Sequence, residues 1–239
     1  MQGSVFLIAV SLVAATCVAA QPEACDFPSQ WTGGAESEEY HVNGSSRYNF
    51  YNISYDAEEE HVAIRAVIDR YGKNANRRNL TTIALYKEKL VYSINSETRS
   101  CDVANLNDAF SKWGVPKEAV YIDKYTTGVA NEAMQHEEWV AMYKQQDSSE
   151  CKNCSLVWGL DVTSTLCVPV IESSSMTVNN SIVLYHISNI FYYNFNTQVD
   201  RAAFTPPSYC PHEANIDLDH PKMIQLKKDL GVSRFFNFF

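Results

Sequence analysis

Apolar and polar side chains alternate with period two along much of this chain. In HVAIRAVID, Val62, Ile64, Ala66 and Ile68 share one face while His61, Arg65 and Asp69 take the other, as in a half-buried strand. TTIALYKEKLVYSI (81–94) reads as a hairpin. Ile83 and Leu85 enter it, Lys87-Glu88-Lys89 turn it, and Leu90, Tyr92 and Ile94 leave it on one face. RYNFYNISY (47–55), VWGLDVTSTLCVPVI (157–171) and SIVLYHISNIFYYNF (181–195) are further β segments, rich in Tyr, Phe, Ile and Val. Along the last, Val183, Tyr185, Ile187, Phe191, Tyr193 and Phe195 fall on one face and His186 on the other. Two readings of that aromatic stripe stay open: the core of a sheet-on-sheet packing, or the wall of an apolar ligand cavity.

Helix signals are few. NLNDAFSKW (105–113) reads as a short helix ended by Gly114 and Pro116. Asp219 with Pro221 opens another over 221–230, with Met223, Leu226 and Leu230 on one face and Gly231 as its stop. After the last β segment, Pro206-Pro207 forbids any continuation of strand or helix, and Cys210 follows. There is no internal repeat and no low-complexity linker. The expected organisation is one all-β domain over 21–239, with 210–239 as a C-terminal extension.

The amino terminus sets the compartment. Residues 5–20, VFLIAVSLVAATCVAA, are apolar, uncharged and end in small residues, which predicts a signal peptide over 1–20 cleaved after Ala20. No later segment approaches the roughly 18 apolar residues of a membrane span, and SRFFNFF at the C-terminus is too short for a lipid-anchor signal. The expected product is soluble and secreted, with delivery to lysosomes left open. Its net charge of −9 speaks against nucleic acid as a partner, since phosphate binding needs clustered Lys and Arg. Cys17 leaves with the signal, and Cys25, Cys101, Cys151, Cys154, Cys167 and Cys210 remain. An even number in an exported chain predicts disulfides, with every pairing open at this point. Sequons at Asn43, Asn52, Asn79, Asn153 and Asn179 predict a glycoprotein. Asn153 is the poorest acceptor because it sits between Cys151 and Cys154.

Catalytic motifs are missing from the sequence. The six histidines stand in no G-x-S-x-G or H-E-x-x-H context, and there is no P-loop or dinucleotide fingerprint. The expectation is a binding protein rather than an enzyme. Cys151-Lys152-Asn153-Cys154 precedes a strand-like segment rather than a helix N-terminus, so a redox role is disfavoured. No second C-x-x-C or close His pair follows it for zinc.

Four segments in order carry a family resemblance: ACDFPSQWTG after the signal, SYD at 54–56, IALYKEKLVYSINSETRSC at 83–101 and AAFTPPSYC at 202–210. With them the chain resembles the ependymin-related proteins, secreted glycoproteins, from Cys25 to Cys210, with 105–150 matching only loosely. The resemblance implies two stacked, curved antiparallel sheets around an apolar cavity, and a homodimer. It implies pairing of Cys25 with Cys167 and of Cys101 with Cys210, the latter tying the chain after the proline pair back to the hairpin at 83–94. The cysteine that vertebrate members carry before the IALY strand is missing from YGKNANRRNL (71–80). The third bridge must therefore differ, and a local Cys151–Cys154 disulfide is the economical choice.

The resemblance also implies calcium. No EF-hand loop is present, so the candidates are Asp56, Glu58, Glu59 and neighbouring Glu60 in YDAEEEH, and Asp217 with Asp219 in NIDLDH. Ordinary turn and helix-cap roles compete for each cluster. Two functions are then expected. One is a carrier of a hydrophobic small molecule or lipid in a β-sandwich cavity, lined by Ile64, Leu85, Tyr92, Tyr185, Ile187, Phe191 and Tyr193. The alternative is a calcium-dependent cell-matrix adhesion glycoprotein with extracellular matrix partners and no physiological small ligand.

Overall fold

The computed structural model describes residues 21–42, 44–71, 76–144, 154–178 and 184–230. Its strands are β1 (Gln30–His41), β2 (Ser46–Asp56), β3 (His61–Tyr71), β4 (Asn76–Leu85), β5 (Leu90–Asn95), β6 (Ser100–Asn105), β7 (Val120–Thr127), β8 (Met134–Lys144), β9 (Cys154–Thr163), β10 (Pro169–Val178) and β11 (Leu184–Asn196). Two 3-10 turns, Ala130–Glu132 and Arg201–Phe204, and one helix, α1 (Pro221–Leu230), complete the described elements. The all-β expectation holds, and α1 forms where its apolar spacing predicts it. Hydrogen bonding does not divide the strands into two sheets, however. It runs through a single sheet in the order β6-β5-β4-β3-β2-β1-β11-β10-β9-β8-β7. This order is two antiparallel meanders, β1–β6 and β7–β11, fused where β1 pairs with β11 from Thr32↔Asn196 to His41↔His186.

The order explains the first correction. Residues 106–119 must carry the chain from one edge of the sheet, β6, to the other, β7. Ten strand spacings of roughly 4.8 Å add up to about 48 Å along the sheet, and its twist and curl shorten the straight span between the edges. Fourteen extended residues reach about 46 Å, whereas fourteen helical ones reach only about 21 Å. Accordingly, 105–113 is no helix but the end of β6 and an extended strap. The strap crosses the β1–β2 region: Phe27 N–H donates to Trp113 O (2.9 Å), Val115 N–H donates to Cys25 O (2.8 Å), and Asp26 bridges Gly114. Trp113 donates its N–H to Tyr55 Oη (3.0 Å) and stacks on that ring at 4.8 Å. A Cβ on Gly114 would lie 2.6 Å from Cys25 O, so only glycine lets the two backbones meet there.

We call the face with the larger core the inner face. Trp31, Tyr51, Ile53, Tyr55, Ile64, Trp139, Trp158, Leu160 and Ile190 are buried on it. α1 lies over the same face, burying Met223, Leu226 and Leu230. It is clamped at its start by Lys222 Nζ on Asp102 of β6 (2.7 and 2.9 Å) and at its end by Tyr51 Oη donating to Leu230 O (3.2 Å). The outer face has a smaller core, in which Phe204 and Cys210 cover Ala63, Ile83, Leu85, Tyr92, Ile94 and Val103. Two disulfides, Cys25–Cys167 and Cys101–Cys210, have the pairing that the resemblance implies. Cys151 lies outside the described residues, as do residues 1–20 and the SRFFNFF tail.

β11 takes the phase opposite to the one its aromatic stripe predicts. In the observed register His186, Ser188, Ile190 and Tyr192 point inward, opposite His41, Glu39, Ser37 and Ala35. Ile187, Phe191 and Tyr193 face outward, and Phe191 and Tyr193 are 37% and 41% exposed. The aromatic stripe is therefore not the inner core. Phe195 does turn inward, because the β1–β11 register shifts between Thr32 and Gly34 and Asn194 takes the left-handed conformation (φ 53°). The inserted residue reverses the phase of the strand, and Phe195 stacks on Trp31 at 4.8 Å. Two neighbours on opposite faces give a direct test. Ile190→Ala should cost about 2–4 kcal/mol in urea unfolding and Phe191→Ala under about 1 kcal/mol; the reverse ranking would refute this register. The Cys101–Cys210 bridge spans 109 residues, so the double Ser variant should lose about 2–5 kcal/mol in the same assay.

Candidate functional site

Two features stand out, one on each face. On the outer face, β8, β9, β10 and β11 form a groove of about 260 Å³. Its apolar floor is Val140, Val157, Ile171 and Ile187, and its polar rim includes Glu138, Asp161, Ser173, Ser175 and Asn189. Small side chains make the depression: a Cβ on Gly159 would lie 2.6 Å from Ser173 Oγ. Phe191 pairs directly with Ile171 across β10 and β11, extending the apolar surface beyond the groove. Tyr193 lies flat over Gly34 of β1, where a Cβ would collide with its ring. One end is acidic: Asp161 Oδ2 accepts from Tyr125 Oη (2.6 Å) and Glu138 shares the rim. Burial, and after it the hydrogen bond to Asp161, pushes the Tyr125 phenol well above its usual range.

On the inner face, β1, β2 and β11 form a buried polar pit. Asn49 Nδ2 donates to Glu39 Oε1 (3.0 Å) and Ser37 Oγ (2.9 Å), and Ser37 lies 3.3 Å from Tyr51 Oη. Arg47 Nη1 and His41 Nε2 lie 3.7 Å and 4.0 Å from Glu39 Oε2. His41 and His186 face each other with their Nδ1 atoms 3.2 Å apart. Burial lowers both imidazoles. His186 is brought down to about 4, with His41 and Arg47 adding to burial, and His41 is lowered further by Arg47 and Arg70. The pit is a set of neutral imidazoles beside one carboxylate. Sequence reasoning placed His186 opposite the stripe but gave it only a sheet role. The signal for the pit was the i, i+2 spacing of Ser37, Glu39 and His41, and it needed the β11 register to be read.

The residues expected to line one ligand cavity are not brought together. Ile64 is buried on the inner face, Leu85 and Tyr92 lie under Phe204 on the outer face, and Ile187, Phe191 and Tyr193 lie on the outer face of the other meander. Only Ile187 lines the groove; the side chain of Tyr185 lies outside the described residues. The reason is register as well as distance: Ile64 and Leu85 stand on adjacent strands but on opposite faces, because Ile64 pairs with Thr82, and β11 lies in the other meander.

Asp56, Glu58 and Glu59, three of the carboxylates expected for calcium, have other partners. Asp56 caps the β2–β3 turn, its Oδ1 accepting the N–H groups of Glu58 and Glu59 (both 3.0 Å) and its Oδ2 accepting Gln30 Nε2 (3.0 Å). Glu58 accepts from Ser29, and Glu59 pairs with Lys87 Nζ at 3.0 Å. Asp217 and Asp219 are exposed at the entry to α1. Donors aimed at Asp56 and a lysine on Glu59 do not fit an oxygen cage of roughly six to eight ligands. Of the sequons, Asn52 is exposed on the outer face of β2, and Asn79 Nδ2 donates to Glu97 Oε1. Asn43, Asn153 and Asn179 lie outside the described residues.

Comparison with known proteins agrees with the ordered segments of the sequence. Mammalian ependymin-related protein 1 of Mus musculus is 27% identical over 192 residues, covering 79% of this chain and 77% of the relative. The Rattus norvegicus protein of the same name matches at the same identity and coverage. Among solved structures, a LolA superfamily protein from Nitrosomonas europaea overlaps 76% of this chain and 92% of its own, with a TM-score of 0.33 and 9% identity. At that score the overlap carries no argument about function. The Ependymin family matches residues 74–210, more than half of the sequence, and the chain belongs to that family.

Proposed function

We propose that this is an exported ependymin-family glycoprotein that binds a hydrophobic ligand in the outer groove of β8–β11. The observation that carries the reading is an open, apolar-floored depression of about 260 Å³ with exposed Phe191 beside it. Soluble proteins seldom leave contiguous apolar surface uncovered without a use for it, and ligand sites are typically apolar clefts with a few polar groups at the rim. The volume suits a short alkyl chain or a single ring system. Glu138 and Asp161 at the rim oppose a negative charge there, which favours a neutral or cationic amphiphile. Export is supported by the apolar amino terminus and by two disulfides; no helix among the described residues is long and apolar enough to cross a membrane.

A second copy of the chain is the other occupant this face supports. Tyr40, Phe50, Met142, Phe191 and Tyr193 are exposed large apolar side chains on the same outer face. Calcium-dependent adhesion has no comparable support from the carboxylates described above.

Titration with the neutral fluorophore N-phenyl-1-naphthylamine tests the ligand reading. Wild type should bind it, and Phe191→Asp and Ile187→Glu should each weaken binding at least about tenfold, or 1.4 kcal/mol. Phe191→Asp replaces an exposed side chain, so its unfolding midpoint should stay near wild type. Unchanged affinity in both variants would sink the groove as the site. Light scattering on the same proteins decides the second reading: a wild-type dimer that becomes monomeric in Phe191→Asp supports self-association through this face, and a wild-type monomer at every concentration removes it.

A further inference from the structure

We infer that Glu39, His41 and His186 form a binding site for a divalent transition-metal ion of the zinc type. Each contributes one ligand atom, and these atoms lie within 4.8 Å of one another. The strand geometry makes the arrangement. Glu39 and His41 are two apart on β1 and so share the inner face, and His186 stands opposite His41 in the β1–β11 register. The two Nδ1 atoms are 3.2 Å apart. Tetrahedral zinc with bonds of about 2.0–2.1 Å holds two imidazole nitrogens about 3.3 Å apart. Without an ion the same 3.2 Å is a hydrogen bond, one Nδ1–H donating to the other Nδ1; a cation would replace that proton with little movement of either ring.

The surroundings fit the same ion. Asn49 fixes Glu39 Oε1 at 3.0 Å, the kind of outer-shell contact that orients a metal-binding carboxylate. Oε2 lies 4.0 Å from His41 Nε2, on the other side of the ring from the Nδ1 that faces His186, so the ion takes Nδ1 and the carboxylate closes on it from within 4.8 Å. Arg47 Nη1 holds Oε2 from 3.7 Å and yields it as the cation enters. Ser188 stands opposite Glu39 on the inner face. Its Oγ and the Oδ1 of Asn49 are buried without a hydrogen-bond partner, and a buried polar atom of that kind marks a missing group. A water in the fourth ligand position would meet Ser188 Oγ. His41 is 27% exposed at its side chain and provides the way in. Two nitrogens and one oxygen suit zinc, and copper(II) after it, better than calcium or magnesium, which take oxygen ligands almost exclusively.

Isothermal titration of the tag-free secreted protein with zinc chloride tests the site, with cobalt(II) absorption as a second reading of its geometry. One zinc per chain is expected, with no competition from excess calcium, and cobalt should give the visible bands of a tetrahedral site. His41→Gln and His186→Gln should each weaken zinc by more than about tenfold and abolish the cobalt bands. Because His41 is part-exposed, its variant keeps the fold even if His186→Gln does not. No stoichiometric zinc in wild type overturns the inference. So does undiminished binding in His41→Gln, which would assign the zinc to other surface groups such as His212 and His220.

Discussion

The pairing of β1 with β11 is the contact on which the rest of the structure depends. Each meander alone is a run of antiparallel hairpins that sequence neighbours can form without outside help. Only the long-range ladder from Thr32↔Asn196 to His41↔His186 fuses them into one sheet. It also fixes the phase of β11, and a slip of one residue would exchange every inner side chain for an outer one. With it, Ile190 enters the core, Phe191 reaches the outer surface and His186 meets His41. The strap at 106–119 and the Cys25–Cys167 bridge then hold the amino-terminal segment to both halves.

From that phase follow two chemically distinct faces. The inner face combines a large aromatic core around Trp31, Trp139 and Trp158 with buried polar side chains, among them Glu39, Asn49, Glu172 and His186. Glu172 is tolerated because donors meet it: it accepts from Trp158 Nε1 at 2.8 Å and from Tyr192 Oη at 2.9 Å, so burial of the carboxylate is offset. The outer face is covered over β3–β6 by Phe204 and Cys210 and is accessible over β8–β11. There small residues, Gly159 and the serines of β10, lower the sheet surface between branched aliphatic side chains and make a groove instead of a flat wall.

Much of the fold could be read in the sequence, and the failures have physical causes. Alternation in 61–69 and 81–94 shows which side chains of β3, β4 and β5 share a face, because one face of each is strongly apolar; that the apolar face of β3 is inner and that of β4 and β5 outer depends on their pairing. The spacing of Met223, Leu226 and Leu230 identified α1. β1 went unrecognised because Gly33, Gly34 and three glutamates give QWTGGAESEEYH poor strand propensity; its pairing on both sides overrides that. β7 and β8, in the loosely matching stretch, were missed for the same reason, since MQHEEWVAMYK buries Trp139 and Ala141 between charged residues. In β11 both phases carry apolar residues. The more aromatic one reads as the interior, but partners such as Ser37, Glu39 and Glu172 on adjacent strands make the polar phase the inner one. The strap was misread because its helix signals are local while its length is set by the width of the sheet.

The outer groove of β8–β11 competes with another opening, a space of about 380 Å³ on the inner face between α1 and β4–β6, lined by Leu80, Asp102 and Leu226. The central claim assigns the ligand to the outer groove, where exposed Phe191 adjoins it. Photo-crosslinking with a neutral alkyl diazirine, followed by peptide mass spectrometry, tests it most directly. The account predicts labels on Val140, Val157, Ile171, Ile187 and Phe191. Labels concentrated on Tyr51, Ile53, Trp158 and Ile190 would contradict it and move the ligand to the inner side of the sheet.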